Sequence, residues 1–317
     1  MITYSALYIL AGSLFAIFAL LSVRDAHNPK RWTTGLFWAL FSLSFLAGDY
    51  LGDLGNGFLV LSMAIVAGFG GLAMGKIVTS SSDERRVSSL RWGNWLLLPA
   101  LMIPLITLGG TFSLKLITIG GVPLADPKQA TLISLAMAAI IALVTALLLL
   151  RQPLVSPFQE GRRLVDTIGW AALLPQMLAS LGAVFALAGV GKVVGDIATQ
   201  WVPADNLMLA VVVYCAGMAL FTMIMGNAFA AFPVLTAGVG IPFLIQHFGG
   251  NPAAVCALGM LAGFCGTLMT PLAANFNIVP AALLELKDRN LVIWMQIPTA
   301  LMMLVINVGL MYWLAFD

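Results

Sequence analysis

Charge is what this sequence lacks most. Of its 317 residues only 9% are Asp, Glu, Lys or Arg, while 61% are hydrophobic and the mean hydropathy is +1.01. A soluble domain of ordinary composition is about 25% charged. Too few charges remain here to cover a water-facing globule, which excludes a soluble enzyme, a nucleic-acid binder and a disordered linker. The net charge of +2 singles out no partner. Histidine and cysteine are nearly as scarce. His27 and His247 lie far apart, and Cys215, Cys256 and Cys265 fall within apolar sequence with no Cys-x-x-Cys spacing. Such thiols read as small buried apolar residues, and no transition-metal site is expected. There is no Gly-x-x-x-x-Gly-Lys-Ser/Thr run either, so nucleotide hydrolysis by this chain is not expected.

What is abundant is apolar sequence in blocks of membrane-crossing length. A helix needs about 20 apolar residues to cross the hydrocarbon. On that measure ten segments are expected: 2–23, 32–50, 55–78, 92–112, 129–150, 165–190, 206–224, 228–247, 252–283 and 291–315. Barrel strands would be about ten residues long and would alternate polar with apolar. Runs such as Leu147–Leu150 and Val211–Val213 do not alternate. The expected fold class is therefore all-α, a polytopic transmembrane helical protein in a lipid bilayer. No basic residue precedes the first apolar run, and Arg24, Lys30 and Arg31 follow it, so it reads as a span and not as a cleaved signal.

Lys and Arg favour short cytoplasmic loops. That places 24–31, 76–91, 151–163 and the pair Lys287 and Arg289 in the cytoplasm, with both termini, Lys192 and Asp196 outside. The two-lysine loop 113–128 and Lys192 run against the bias. The polar break 151–163 divides a five-helix scaffold or contact region, 1–150, from a second region, 164–317. Asn227, Asn275, Asn277 and Asn307 occur inside apolar sequence only in the second region. Amides at membrane depth are costly without partners and mark pathways or sites. In the first region, Gly71-x-x-x-Gly75 reads as close helix packing.

Two stretches interrupt the second region. Met225-Gly226-Asn227-Ala228-Phe229 separates two apolar runs with no charge between them, giving a helical hairpin over about 206–248. Either it is re-entrant, with its tip at the midplane, or it is two full spans; charge counting does not separate the two. Further on, Pro271 and Pro280 bracket Asn275 and Asn277 in an apolar run too long for one straight crossing, 252–283. Each proline removes a backbone donor, so a discontinuous helix is expected, with a kinked helix as the alternative. Paired breaks of this kind build a site for a small anion and a cation. Half-helix N-termini point N–H groups at a carboxylate, and freed carbonyls and amide oxygens replace the water of a sodium ion. From Asp205 to Glu285 no Asp, Glu, Lys or Arg intervenes, so the path offers a proton no obvious carrier, and neutral oxygens suit sodium better.

These stretches resemble, distantly and over about 168–315, one repeat of the ion-transporter superfamily that includes divalent-anion:sodium symporters. Gly226-Asn227-Ala228 stands where that superfamily has a Ser-Asn-Thr hairpin tip. Pro271-Leu272-Ala273-Ala274-Asn275-Phe276-Asn277 stands at its Pro- and Asn-containing broken helix. Ser180–Ala188 resembles the glycine-rich helix before the hairpin. Met225–Pro233 and Gly266–Glu285 are also similar, more closely and over the whole chain, to a bacterial family once described only as a domain of unknown function. That resemblance implies a subunit of a two-subunit 5-oxoproline (pyroglutamate) transporter in the bacterial inner membrane. It further implies a second, different membrane subunit bearing the complementary hairpin repeat, and permits a dimer of heterodimers. Substrate contacts are expected at Gly226, Asn227, Ala228, Phe229, Asn275 and Asn277. A coupling sodium is expected near Asn227, Thr270, Pro271, Ala273 and Asn277, with no other cofactor. Phe229, Phe232 and Phe276 are candidates to shield an apolar ring face, or else they pack. An intramembrane enzyme would need a nucleophile with a base, and Ser180 has no partner His or Asp. A structural subunit, whose amides only bond a partner chain, is the second alternative.

Overall fold

The structure, a computed structural model, describes residues 3–73, 75, 82–114, 116–119, 122–201, 206–284 and 286–316. Asp205, Glu285 and Asp317 lie outside the described residues. The helices are, in order, α1 (Tyr4–Arg24), α2 (Arg31–Gly68), α3 (Ser82–Trp92), α4 (Leu98–Ser113), α5 (Ala130–Leu150), α6 (Ser156–Ile168), α7 (Leu174–Leu187), α8 (Val190–Trp201), α9 (Leu207–Met225), α10 (Ala228–Leu235), α11 (Pro252–Leu268), α12 (Ile278–Leu283) and α13 (Leu291–Leu314). A π-helical run, Thr236–His247, continues α10, and a hairpin of two-residue strands, Thr118–Ile119 with Val122–Pro123, lies before α5. The protein is all-α and multi-pass, as its composition requires.

Ten spans do not form. Among the described residues seven helices are long and apolar enough to cross a membrane, or up to eight with Ser180–Leu187 and Val190–Ile197 joined as one bent span. Segments 32–50 and 55–78 correspond to the two arms of α2, which ends at Gly68, whereas 165–190 is divided at Gly169 and α11 stops after 17 residues.

Yet α2 is not a straight rod. At Gly52 the backbone is non-helical (φ 62, ψ −177), a region that suits glycine alone. Across the bend Asn56 Nδ2 donates to Gly48 O at 2.8 Å. At the far ends Asn28 Nδ2 donates to Ala73 O at 2.6 Å, and Ala73 N donates to Thr34 Oγ1 at 3.2 Å. A straight helix of this length would hold those ends about 57 Å apart, so the chain doubles back at Gly52. Gly71 and Gly75 lie beyond the end of α2, which corrects their reading as a helix-packing stripe. Gly75 instead leaves room for the Asp25 carboxylate, which a Cβ there would strike.

The chain forms two compact units, Met1–Asp166 and Thr167–Asp317. The first is held by aromatic rings. Phe15 of α1 stacks on Trp38 and Phe45 of α2 with ring centres 5.6 and 5.7 Å apart, and Phe37 and Trp38 are fully buried. A charged network closes the same unit. Arg162 Nη2 meets Asp25 Oδ2 at 2.9 Å, Arg162 Nη1 donates to Leu21 O at 2.8 Å, and Trp38 Nε1 donates to Asp166 Oδ1 at 2.8 Å. Burial pushes the Asp166 carboxyl up to about 6, against the lowering pull of Trp38 and Arg162, while Asp25 adds to the rise.

One local pattern occurs twice. Gly93 (φ 51) and Gly169 (φ 56) end α3 and α6, each opens a 3₁₀ turn, and an apolar helix then begins with Pro99 or Pro175 in its first turn. Both copies read Gly-x-x-x-Leu-Leu-Pro. A left-handed glycine redirects the chain, and proline is tolerated where the helix has no donor to lose.

In the second unit small residues let backbones approach, as helix packing in lipid favours. A Cβ on Gly263 would meet Met218 Cε at 3.1 Å and Thr222 Oγ1 at 3.3 Å, so α11 lies hard against α9. Tyr214, Met218 and Val234 are fully buried between these helices and the hairpin's second arm.

Candidate functional site

Asn206 opens the first hairpin arm, its side chain accepting from Leu209 N at 3.0 Å. The arm, α9, stops at Gly226, whose left-handed backbone (φ 77) ends the helix and whose N–H donates to Thr222 O at 2.7 Å. The next residue, Asn227, is extended and caps α10, its Oδ1 accepting from Phe229 N at 2.7 Å. The second arm continues into the π-helical run, where Phe248 N reaches back to Phe243 O at 3.0 Å. The arms Leu207–Met225 and Ala228–His247 are 19 and 20 residues long, each enough by length for a full crossing. The discontinuous helix forms as expected: α11 ends at Leu268, turns occupy the following residues, and α12 begins at Ile278.

The two interruptions touch. A Cβ on Gly226 would lie 2.8 Å from Leu272 O and 2.9 Å from Leu272 Cβ. Beside this contact Thr270 Oγ1 donates to Met223 O at 3.0 Å and accepts from Leu272 N at 3.3 Å. Fully buried Asn277 ties the break together, Nδ2 donating to Thr267 O at 2.9 Å and to Thr270 O at 2.7 Å. Its Oδ1 is buried with no hydrogen-bond partner among the described residues, and so is Thr222 Oγ1 in the last turn of α9. An unsatisfied buried oxygen costs about 1–3 kcal/mol, a cost that a donor or a cation removes.

Between tip and break lies a crevice of about 10 Å³, lined by Leu174, Gly226, Asn227 and the segment Leu272–Phe276. That volume suits one water or one bare ion and nothing larger. Of the expected site residues, Gly226, Asn227, Ala273 and Asn275 line it, and Thr270 and Asn277 are buried at the break. Ala228 is buried, and Pro271 is exposed. Phe229 N–H, expected to face a carboxylate, already donates to Asn227. The Phe229 ring meets Phe264 edge-on at 5.8 Å, Phe232 packs against the core, and Phe276 alone of the three lines the crevice. Outside this group Asn307 Nδ2 contacts Cys265 Sγ at 3.6 Å, a packing link between α13 and α11.

A larger space in the same unit was not foreseen. At Gly189 (φ 73), just past the glycine-rich stretch Ser180–Ala188, the helical pair α7 and α8 bends by 67°. The bend and the π-helical run enclose an open cavity of about 840 Å³ whose polar lining is Lys192, Asp196 and His247. The signal in the sequence was Gly189, Gly191 and Gly195 around a lysine. No group of three or more His, Cys, Asp or Glu able to hold a metal occurs among the described residues.

Comparison with known proteins adds three findings. No curated protein matches the chain. The crystal structure of the Alcanivorax borkumensis YdaH transporter matches 97% of this chain and 80% of its own, at 15% identity and a TM-score of 0.33, a superposition too loose to carry an assignment. The family model described as "Protein of unknown function (DUF979)" matches residues 5–316, and the chain belongs to that family.

Proposed function

We propose that the chain is one membrane subunit of a secondary transporter. It moves a small organic anion together with sodium and works with a second, different membrane subunit. The observation that carries this reading is the junction of the Gly226–Asn227 tip with the Leu272–Asn277 break, where an unpartnered Asn277 Oδ1 is buried near an ion-sized crevice. Neutral oxygens in that neighbourhood suit a hard, weakly polarising cation. Asn277 Oδ1, the amide of Asn227 and the carbonyls of Thr270, Pro271 and Ala273 are the candidate ligands. A bound cation draws tip and break together, and a joint that closes on an ion is what alternating access at discontinuous helices uses. The nature of the anion, 5-oxoproline, comes from the resemblance of Met225–Pro233 and Gly266–Glu285 to the two-subunit transporter family.

Uptake of labelled 5-oxoproline by cells expressing the chain with its partner subunit, in sodium or in choline medium, tests the reading. Sodium-dependent uptake that Asn277→Ala reduces to background is expected. Uptake untouched by both Asn227→Ala and Asn277→Ala removes the site from these residues. Sodium-independent uptake that dissipates a pH gradient replaces the coupling ion, and no anion movement by the pair ends the transport reading. The second reading is a purely structural subunit whose amides only bond a partner chain, and the contacts of Asn227, Asn277 and Asn307 within their own chain do not favour it. On that reading the same substitutions change the amount of assembled complex and leave the sodium dependence per complex unchanged.

A further inference from the structure

The crevice between tip and break is far too small for an organic anion, so the anion needs another place to dock. We propose that the cavity between the α7–α8 bend and the π-helical run is a docking site for a small monocarboxylate, with the Lys192 ammonium as its counter-ion. Its volume, about 840 Å³, lies within the range of small-molecule pockets, about 300–1,000 Å³. Lys192 lines it and is exposed, and its ammonium has no ion-pair or hydrogen-bond partner among the described residues. An ammonium at the edge of an apolar unit attracts an anion more strongly than it would in open water, because the surrounding dielectric is lower.

The walls are shaped for close approach of a ligand. Glycines 191 and 195 of α8 face Gly238 of the π-helical run, with a Cβ on Gly195 falling 2.6 Å from Gly238 O. The floor is therefore bare backbone, and the lining is otherwise mostly apolar. A π-helical segment interrupts ordinary helix geometry, and such segments recur at functional sites.

Asp196 sets the charge of the ligand. One turn beyond Lys192 on α8, its carboxylate lines the same cavity. A dianion would meet one attractive and one repulsive charge there, whereas a monoanion carrying an N–H sets its carboxylate on Lys192 and its donor toward Asp196. A lactam acid fits that pattern, and a neutral lactam lacks the group that Lys192 holds. The proposal rests on the transport reading for the need of an anion site and for the choice of probe, while the cavity and its Lys192 stand on geometry alone.

Ala237, exposed within the cavity, provides a reporter. In a Cys256→Ser background, Ala237→Cys in the assembled complex is reacted with anionic and cationic methanethiosulfonates, with or without 5-oxoproline or 2-pyrrolidone. Faster reaction with the anionic reagent is expected, slowed by 5-oxoproline and unaffected by 2-pyrrolidone. Lys192→Gln should abolish both the charge preference and the protection, with Lys192→Arg retaining them. In uptake, Lys192→Gln should raise KM about tenfold, the loss of one charge-assisted hydrogen bond, with little change in the maximal rate. Labelling indifferent to reagent charge and to 5-oxoproline, in a complex that still transports, overturns the docking site and leaves the transport reading standing. Lys192-dependent protection in a complex that moves no anion upholds the docking site and ends the transport reading.

Discussion

The two units differ in how their polar groups are satisfied. In the first, beside buried neutral groups such as Asn28 and Thr34, a half-buried charge cluster is largely closed on itself: one guanidinium, Arg162, serves Asp25 and lies 3.9 Å from Asp166, which also accepts from Trp38. In the second the buried groups are neutral amides and hydroxyls, and several are left open: Asn277 Oδ1, Thr222 Oγ1, Gln176 Oε1 and Gln296 Oε1. Ser22 Oγ is the exception in the first unit. A closed charge network fastens elements in a single arrangement, because opening it strands an ion at low dielectric. An open neutral oxygen costs much less and leaves room for a visitor. Fastening thus sits in the first unit and readiness in the second.

Four substitutions sharpen or break that contrast. The largest effect is expected from Arg162→Ala, which leaves two buried carboxylates without their cation and should destabilise by about 3–5 kcal/mol, read as loss of monodisperse protein on heating and size exclusion. Wild-type behaviour of that variant would mean the network fastens nothing. Next comes Gly226→Val. The left-handed backbone penalises a β-branched residue by about 1–2 kcal/mol, and overlap with Leu272 adds about 1–3 kcal/mol, so melting temperature and uptake should fall together. Asn277→Leu should cost about 1–3 kcal/mol by stranding the carbonyl of Thr267 and should abolish sodium-dependent uptake. Retained sodium dependence would show that the open oxygen is idle.

The smallest effect belongs to Asp166→Asn. The folded carboxyl titrates at about 6, against an ordinary value of 3.8, so between those pH values the folded chain holds the extra proton. Stability from this group is therefore greatest at the acid end and declines as pH rises from about 4 to about 6. Asp166→Asn should flatten that slope in melting curves recorded across the window while an amide oxygen still accepts from Trp38. An unchanged slope would locate the titration elsewhere.

Much of this was legible in the sequence because each feature had a local cause. Lack of charge pointed to helices in a bilayer; Gly226 with Asn227 marked the hairpin turn; Pro271 with the asparagines marked the break. The count of ten spans failed because hydropathy measures stretches and not turns. Gly169 interrupts the run expected over 165–190, and the break after Leu268 leaves α11 shorter than a span. The Gly71–Gly75 reading failed because the same spacing serves an irregular segment beside Asp25. The meeting of Gly226 with Leu272 and the freedom of Asn277 Oδ1 were not legible at all, since both depend on residues far apart in the chain. Nor did the sequence reveal that Phe229 N–H is already occupied by its own cap.

Gly226 and Asn275 line the same crevice, yet they would speak differently in a saturation scan selected for growth. Every side chain at position 226 meets both a forbidden backbone and the Leu272 carbonyl, so intolerance there reports architecture whatever passes through the protein. Asn275 is only half-buried and its side chain makes no hydrogen bond among the described residues. Nothing in the fold asks for an amide at that position. If selection insists on one, the demand comes from the cargo.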